Sequence, residues 1–170
     1  VVLKKAELKD SEAIMQIIKE AQHHLREKGI DQWQNNYPNK EIVEEDIARG
    51  INYILLKDDI IIGTVVLTFA GEETYKRIYK GQWLCNQDYA VVHRIAVARA
   101  FMGQGYGSII LKELEKLCLE KGFYCIRVDT HEENRAMQKL LENRGFHYCG
   151  IIYLKDGAKR LAFEKHLKKA

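Results

Sequence analysis

The chain has 170 residues, 46% of them hydrophobic and 30% charged, with a net charge of +3. That is the size of one domain with enough apolar material for a core, and it excludes disordered, collagen-like and coiled-coil chains. So small a positive balance, carried by scattered lysines, does not point to nucleic acid.

No apolar run approaches the ~20 residues of a membrane span, and the opening VVLKKAELKD is too charged for a signal peptide. The expectation is a cytoplasmic protein forming a single domain over 1–170, without a membrane or nucleic-acid partner. Cys85, Cys118, Cys125 and Cys149 fall in no short metal-ligand spacing, so reduced, buried thiols and no metal are expected.

Val1 to Glu7 reads as a short strand. Asp10 is placed to cap a helix in which Ile14, Ile17, Ile18, Ala21 and Leu25 share one face, up to Gly29. His23 and His24 are adjacent on that helix and cannot both face one metal, so both read as surface residues. Ile30 to Asn39 is a polar and aromatic loop around Pro38, and Asn39 can cap a second helix over Lys40 to Arg49.

Asn52 to Lys57 and Ile60 to Phe69 are β-rich runs flanking Asp58-Asp59, which predicts an antiparallel hairpin. Gly71 to Asp88 is a long connection whose Tyr75, Tyr79 and Trp83 would suit a ligand rim. Tyr89 to Val97 is a strand, a glycine-rich turn follows, and Ile110, Leu114, Leu117 and Cys118 give a helical stripe ending at Gly122. Phe123 to Thr130 is the next strand, so this series predicts a crossover joining parallel strands. Asn134 caps a helix through Asn143, and Phe146 to Leu154 and Lys159 to Lys165 flank the hairpin signal Asp156-Gly157. Lys165 to Lys169 reads as a solvated tail. The order predicts a mixed α/β domain, a mostly antiparallel sheet with a central parallel β-α-β pair.

The informative stretch is HRIAVARAFMGQGYGS, His93 to Ser108, where a strand runs into Gly103, Gly105 and Gly107 and then into a helix. Glycines let a phosphate approach the main chain, and the first N–H groups of the following helix favour an anion. A P-loop is rejected because no lysine follows the turn, and a Rossmann fingerprint is disfavoured by the G-x-G-x-G spacing.

Two motifs in register carry a resemblance that spans nearly the whole chain. Ile95-Ala96-Val97 followed by Met102-Gly103-Gln104-Gly105-Tyr106-Gly107 is similar to the R/Q-x-x-G-x-G/A motif of the GNAT-type N-acetyltransferase superfamily. Asn134, Gly145 and Phe146 fit its N-x-x-A-x-x-x-Y-x-x-x-G-F helix. The resemblance implies an acyl-CoA N-acyltransferase fold and transfer of an acetyl group from acetyl-coenzyme A to a primary amine by direct attack. It places the pyrophosphate on the amides of Met102 to Ser108, the pantetheine along Ile95, Ala96 and Val97, and Asn134 near the reactive end. Arg99 and Arg135 flank that site.

The chain departs from the pattern at Met102, where Arg or Gln is usual, at Met137, where a small alanine is usual, and at Leu141, where the family often has a thiolate-protonating tyrosine. Tyr148 or Tyr153 could replace that acid. His93, alternating along the strand with Val91, Ile95 and Val97, is the candidate base, and a backbone N–H of Ile95 or Val97 could serve the oxyanion. Asp31, Gln32, Trp33 and Tyr37, with Tyr79 and Trp83, would wall the acceptor side, either lining a pocket or anchoring their loops. The acceptor is a small-molecule or protein amine, and the chain a monomer or a homodimer pairing strand edges near the last hairpin. The alternative is a non-catalytic coenzyme A-binding sensor or partner-binding module.

Overall fold

In the computed structural model, which describes residues 1–168, the strands are β1 (Val2–Lys5), β2 (Asn52–Lys57), β3 (Ile60–Thr68), β4 (Ala90–Val97), β5 (Cys125–Thr130), β6 (His147–Tyr153) and β7 (Lys159–His166). They form one seven-stranded sheet in the order β1-β2-β3-β4-β5-β7-β6. β4 and β5 run parallel, registering Ala90 with Ile126 and Val91 with Arg127, while the β1-β2, β2-β3, β5-β7 and β6-β7 pairs are antiparallel. Four α-helices, α1 (Ser11–Glu27), α2 (Lys40–Ala48), α3 (Tyr106–Glu120) and α4 (Arg135–Asn143), complete the mixed α/β fold.

The chain divides into two compact units. One comprises Val1–Leu67 with His93–Glu113, and the other Thr68–Val92 with the chain from Leu114 onward. In the first unit, Ile14 and Ile18 of α1 meet Val43 of α2, Ile54 of β2 and Ala6 in one buried cluster. A second cluster sets Ile17 and Ala21 of α1 against Ala96 of β4. Each buried isoleucine contributes about 1.5–3 kcal/mol. Asn39 caps α2 as its position predicted, its Oδ1 accepting from the Ile42 N–H at 3.0 Å. Asp10 differs, because its Oδ2 accepts from the Glu7 N–H at 2.8 Å and so braces the 3-10 turn Leu8–Asp10 ahead of α1 instead of capping α1 itself. The β2-β3 hairpin turns through Asp58 and Asp59 at φ +50° and +64°, left-handed geometry that aspartate tolerates better than most residues and that matches the twist of the strands.

In the second unit, Tyr75, Val91, Ile152 and Ala162 form the buried cluster. The β6-β7 loop is longer by one residue than an Asp-Gly hairpin. Leu154 and Ala158 close it, the Leu154 N–H donating to the Ala158 carbonyl at 2.8 Å, and Gly157 takes φ +87°, the left-handed position of a three-residue loop. The expectation of four reduced thiols holds for only two of them. Cys85 and Cys125 are joined in a disulfide across a sequence separation of 40, while Cys118 and Cys149 are free and buried. No short spacing signals a pair so far apart.

Lys165 is no part of a solvated tail, since it lies in β7 with its ammonium 2.8 Å from Glu115 Oε1; Lys169 lies outside the described residues. The edge of β6 is partly covered too, because Tyr79 and Ile151 exchange two backbone hydrogen bonds of 2.8 Å. That close approach needs glycine, as a Cβ on Gly81 would fall 1.9 Å from the Cys149 carbonyl oxygen. No helix among the described residues is long and apolar enough to cross a membrane.

Candidate active site

β4 leaves the sheet at Val97, passes through a 3-10 turn over Arg99–Phe101 and an extended Met102, and reaches α3 through Gly103 at φ +75° and Gly105 at φ +89°. Only glycine adopts two such conformations so close together without strain. Gly103, Gln104 and Gly105 are exposed, and nothing lies within 4 Å of a Cβ added to either glycine. The surface over the turn is open backbone. The N–H groups of Tyr106, Gly107 and Ser108 belong to the first turn of α3 and have no helical carbonyl before them. An anion fits there.

Lys57 also belongs to this surface, its ammonium 5.5 Å from the Phe101 ring centroid and 5.6 Å from that of Tyr106. Sequence reading passed it over, since a lysine ending a hairpin strand carries no motif. Arg99, in the 3-10 turn that flanks this surface, donates from its guanidinium to Glu27 at 3.1 Å, and its backbone N–H donates to Glu20 at 3.0 Å. Arg135 is exposed at the start of α4.

His93, Ile95 and Val97 are half-buried and Ala96 is buried. Between His93 and Ile95 the chain does something sequence pattern did not foresee, because Arg94 takes φ +51°. A left-handed arginine within a strand costs about 1–2 kcal/mol and breaks the two-residue alternation. The alternation that placed His93 on the face of Ile95 and Val97 therefore does not carry across Arg94. The arginine is held by a bidentate pair with Asp46 of α2, at 2.8 and 2.9 Å, and its Nη1 donates to the Tyr37 hydroxyl at 3.0 Å. Burial works against its charge, but Tyr37 and the Asp46 carboxylate outweigh that and hold the guanidinium above its ordinary pKa.

The loop before α2 is tied down by side-chain amides. Gln22 Nε2 donates to the carbonyls of Tyr37 and Pro38, both at 3.0 Å, and Gln34 Nε2 donates to those of Gln22 and Gln32, both at 3.1 Å. Trp33 packs against both clusters of the first unit, so its bulk anchors the loop. Asp31 is exposed and Gln32 half-buried. Tyr37 keeps an exposed ring, 43% accessible.

In the second unit Tyr75, expected on a ligand rim, is 1% exposed. Its hydroxyl donates to Asp129 at 2.6 Å, and burial, reinforced by Asp129, pushes that phenol well above its usual pKa. Trp83 donates from Nε1 to the Tyr75 carbonyl at 2.8 Å, and its ring lies 4.2 Å from the Arg127 guanidinium. It anchors the connection, as Trp33 anchors the other loop. Tyr79 stays exposed, edge-on to Tyr153 at 5.3 Å. Tyr148, also exposed, lies edge-on to Phe163 at 5.8 Å.

Asn134 caps α4 as expected, its Oδ1 accepting from the Met137 N–H at 3.1 Å. Leu141 is fully buried. His23 is exposed and pairs with Glu27 at 2.7 Å, while burial, with Lys28 and Arg99 nearby, lowers the pKa of His24.

A mixed sheet with one parallel pair, and an open glycine turn between its β4 and the helix that follows, defines the class of acyl-CoA N-acyltransferase folds. The family model described as Acetyltransferase (GNAT) family matches residues 13–146, so the chain belongs to the GNAT family of acetyltransferases.

A GNAT-family acetyltransferase from Streptococcus agalactiae 2603 has a crystal structure similar to this one, with a TM-score of 0.90 at 33% identity over 99% of this chain and 96% of that one. The N-acetyltransferase YesJ of Bacillus subtilis, itself uncharacterized, is 24% identical over 93% of this chain and 86% of its own. The PaiA N-acetyltransferase of Thermoplasma acidophilum, solved in complex with coenzyme A, shares the fold at a TM-score of 0.70 and 18% identity, over 97% of this chain and 98% of that one.

Proposed function

We propose that the chain acts as a single N-acetyltransferase domain that moves an acetyl group from acetyl-coenzyme A to a primary amine by direct attack. The observation that carries this reading is the open turn at Gly103 and Gly105, where no atom stands within 4 Å of the missing Cβ positions. Acetyl-coenzyme A would supply the acetyl group as an activated thioester, leaving coenzyme A as the free thiol. In this reading the N–H groups of Met102 to Ser108 take the pyrophosphate, with the N-terminal turn of α3 favouring its charge. Met102 offers no cationic side chain, and Lys57 stands at the same turn to supply one.

Ile95, Ala96 and Val97 present backbone groups for the pantetheine amides, beyond the registered β4-β5 pairs at Ala90 and Val91. Asn134, at the N-cap of α4, contacts the cofactor near its reactive end. An attacking ammonium must first lose a proton, and His93, of a residue type that titrates near neutrality, takes it directly or through one water. A backbone N–H of Ile95 or Val97 donates to the carbonyl oxygen as charge develops there. Leu141 has no proton to give, so the departing thiolate is protonated by water.

Tyr37 in the first unit and Tyr79 in the second keep exposed rings and are each candidates for acceptor contact, whereas Trp33 and Trp83 support the loops that carry them. A small-molecule amine and a protein amine both satisfy this chemistry.

The test pairs calorimetric titration of acetyl-coenzyme A, with NAD as comparator, and release of free thiol in the presence of an amine panel. Saturable binding with thiol release is the expected result, and His93→Ala lowers kcat by about 10²–10⁴. Binding without thiol release from any amine leaves a coenzyme A-binding module in place of an enzyme, and no binding removes the reading.

A further inference from the structure

Three groups that acetyl transfer does not use meet where the long connection reaches β5 and β7. The sulfurs of Cys85 and Cys125 and a ring nitrogen of His166 lie within 4.8 Å of one another. The cysteines are buried, the His166 side chain is 52% exposed, and a cavity of about 410 Å³ lined by all three opens beside them, walled further by Asn86, Gln87 and Tyr124. We propose that Cys85, Cys125 and His166 bind one zinc ion when the disulfide is reduced, so that the disulfide and the metal are alternative states of one site.

Two thiolates and an imidazole are the donor set that zinc takes in preference to harder cations. Tetrahedral zinc, with Zn–S of about 2.3 Å and Zn–N of about 2.0 Å, holds its ligand atoms about 3.4–3.8 Å apart. The three donors lie within 4.8 Å of one another, so once reduction lets the two sulfurs part, side-chain rotation brings them to that spacing, and the open cavity gives both an entry path and room for a water in the fourth position.

The surroundings are built to orient the donors. Glu164, fully buried, stands 3.2 Å from His166 Nε2, close enough to hold the ring in place. The carboxylate is itself fixed by the Leu84 N–H at 2.8 Å and by Arg127 Nε at 2.7 Å. Metal-bound histidines are commonly oriented by such a carboxylate. The Gln87 N–H lies 3.3 Å from Cys85 Sγ, a donor that favours a thiolate there. Charge balances too, because two thiolates neutralise the zinc and Arg127 neutralises Glu164, so no uncompensated charge is buried.

The step between the states conserves electrons and protons. A dithiol reductant gives two electrons and two protons to the Cys85–Cys125 bond and becomes a disulfide itself. Zinc then displaces both thiol protons into solvent.

The experiment titrates cobalt(II), as a spectroscopic probe, and then zinc into the whole protein, oxidised and after reduction under anaerobic conditions. Reduced protein is expected to bind one equivalent of cobalt with thiolate-to-metal charge-transfer absorption that zinc abolishes, and oxidised protein to bind none. Cys85→Ser and Cys125→Ser remove the charge-transfer band, Cys118→Ala keeps it, and His166→Ala weakens binding at least tenfold. Reduced protein that keeps its circular dichroism and takes up no metal overturns the proposal, as does unchanged affinity in His166→Ala. Should the cysteine variants fail to fold, His166→Ala, at a half-exposed side chain, decides alone.

Discussion

Asp46→Ala is expected to destabilise the fold far more than loss of a surface ion pair, because of the residue it holds. Arg94 sits at φ +51° with its side chain 16% exposed, facing an Asp46 side chain that is 5% exposed. An exposed pair is worth about 0–1 kcal/mol, whereas removing one partner of a buried pair costs about 3–5 kcal/mol. The Tyr37 hydroxyl stays at 3.0 Å and the residual exposure admits some water, so the expected loss is about 2–4 kcal/mol. In a chain of this size that lowers Tm by roughly 5–15 °C. Arg94→Gly removes the left-handed strain but strands the Asp46 carboxylate, so it too is destabilising. The double variant strands neither charge and should be more stable than Asp46→Ala alone. Urea unfolding of the four proteins gives the coupling energy, expected at about 1.5 kcal/mol or more. Additivity within about 0.5 kcal/mol would refute the argument that Asp46 holds Arg94 in place.

Gly81→Ala must move backbone, since its Cβ meets the Cys149 carbonyl at 1.9 Å; overpacking plus two weakened hydrogen bonds predicts a loss of about 2–5 kcal/mol in urea unfolding. Gly103→Val adds bulk where the turn is open, so acetyl-coenzyme A affinity should fall at least tenfold by calorimetry with a stability loss confined to the left-handed backbone cost of about 1–2 kcal/mol. Burial, reinforced by Glu115, pushes the Cys118 thiol up to about 12, and burial with Glu164 pushes Cys149 up to about 11. Iodoacetamide at pH 8 should therefore spare both in the native protein and label them in urea. Because these raised values belong to the folded state, the unfolded chain loses those protons first, and stability contributed by the neutral thiols declines as pH rises from ~9 toward 12.

Where local chemistry decides, the sequence was legible. Asn39 and Asn134 cap the helices they precede, the strand and helix order follows periodicity, and the turn at Gly103 and Gly105 stands where a strand meets a helix through glycines. What stayed hidden depends on partners distant along the chain. Nothing beside Arg94 marks it as left-handed, since the reason lies in Asp46 on another element. Tyr75 reads as a rim aromatic until Asp129 satisfies its hydroxyl and lets it be buried. The pairing of Cys85 with Cys125, and the place of His166 beside them, requires knowing that the connection crosses β5 and β7. Of the candidate site, the backbone part was visible and the side-chain part was not, because backbone geometry is dictated by glycine and side-chain company by topology.

The connection from Gly71 to Asp88 takes its order from elsewhere. Its fixed points are Tyr75 on Asp129, 54 positions away, Leu84 on Glu164, 80 positions away, and the Cys85 carbonyl on Arg127, 42 positions away. Inside it only the 3-10 turn Glu73–Tyr75 is regular. During synthesis this segment is made long before β7, and it has almost nothing of its own to fold around while it waits. The segment carrying Tyr79 and Trp83 has its lasting partners only once β5 and β7 are in place. In the native protein its protection from exchange is therefore borrowed, the Tyr79 and Leu84 amides staying closed only as long as β6 and β7 hold their places.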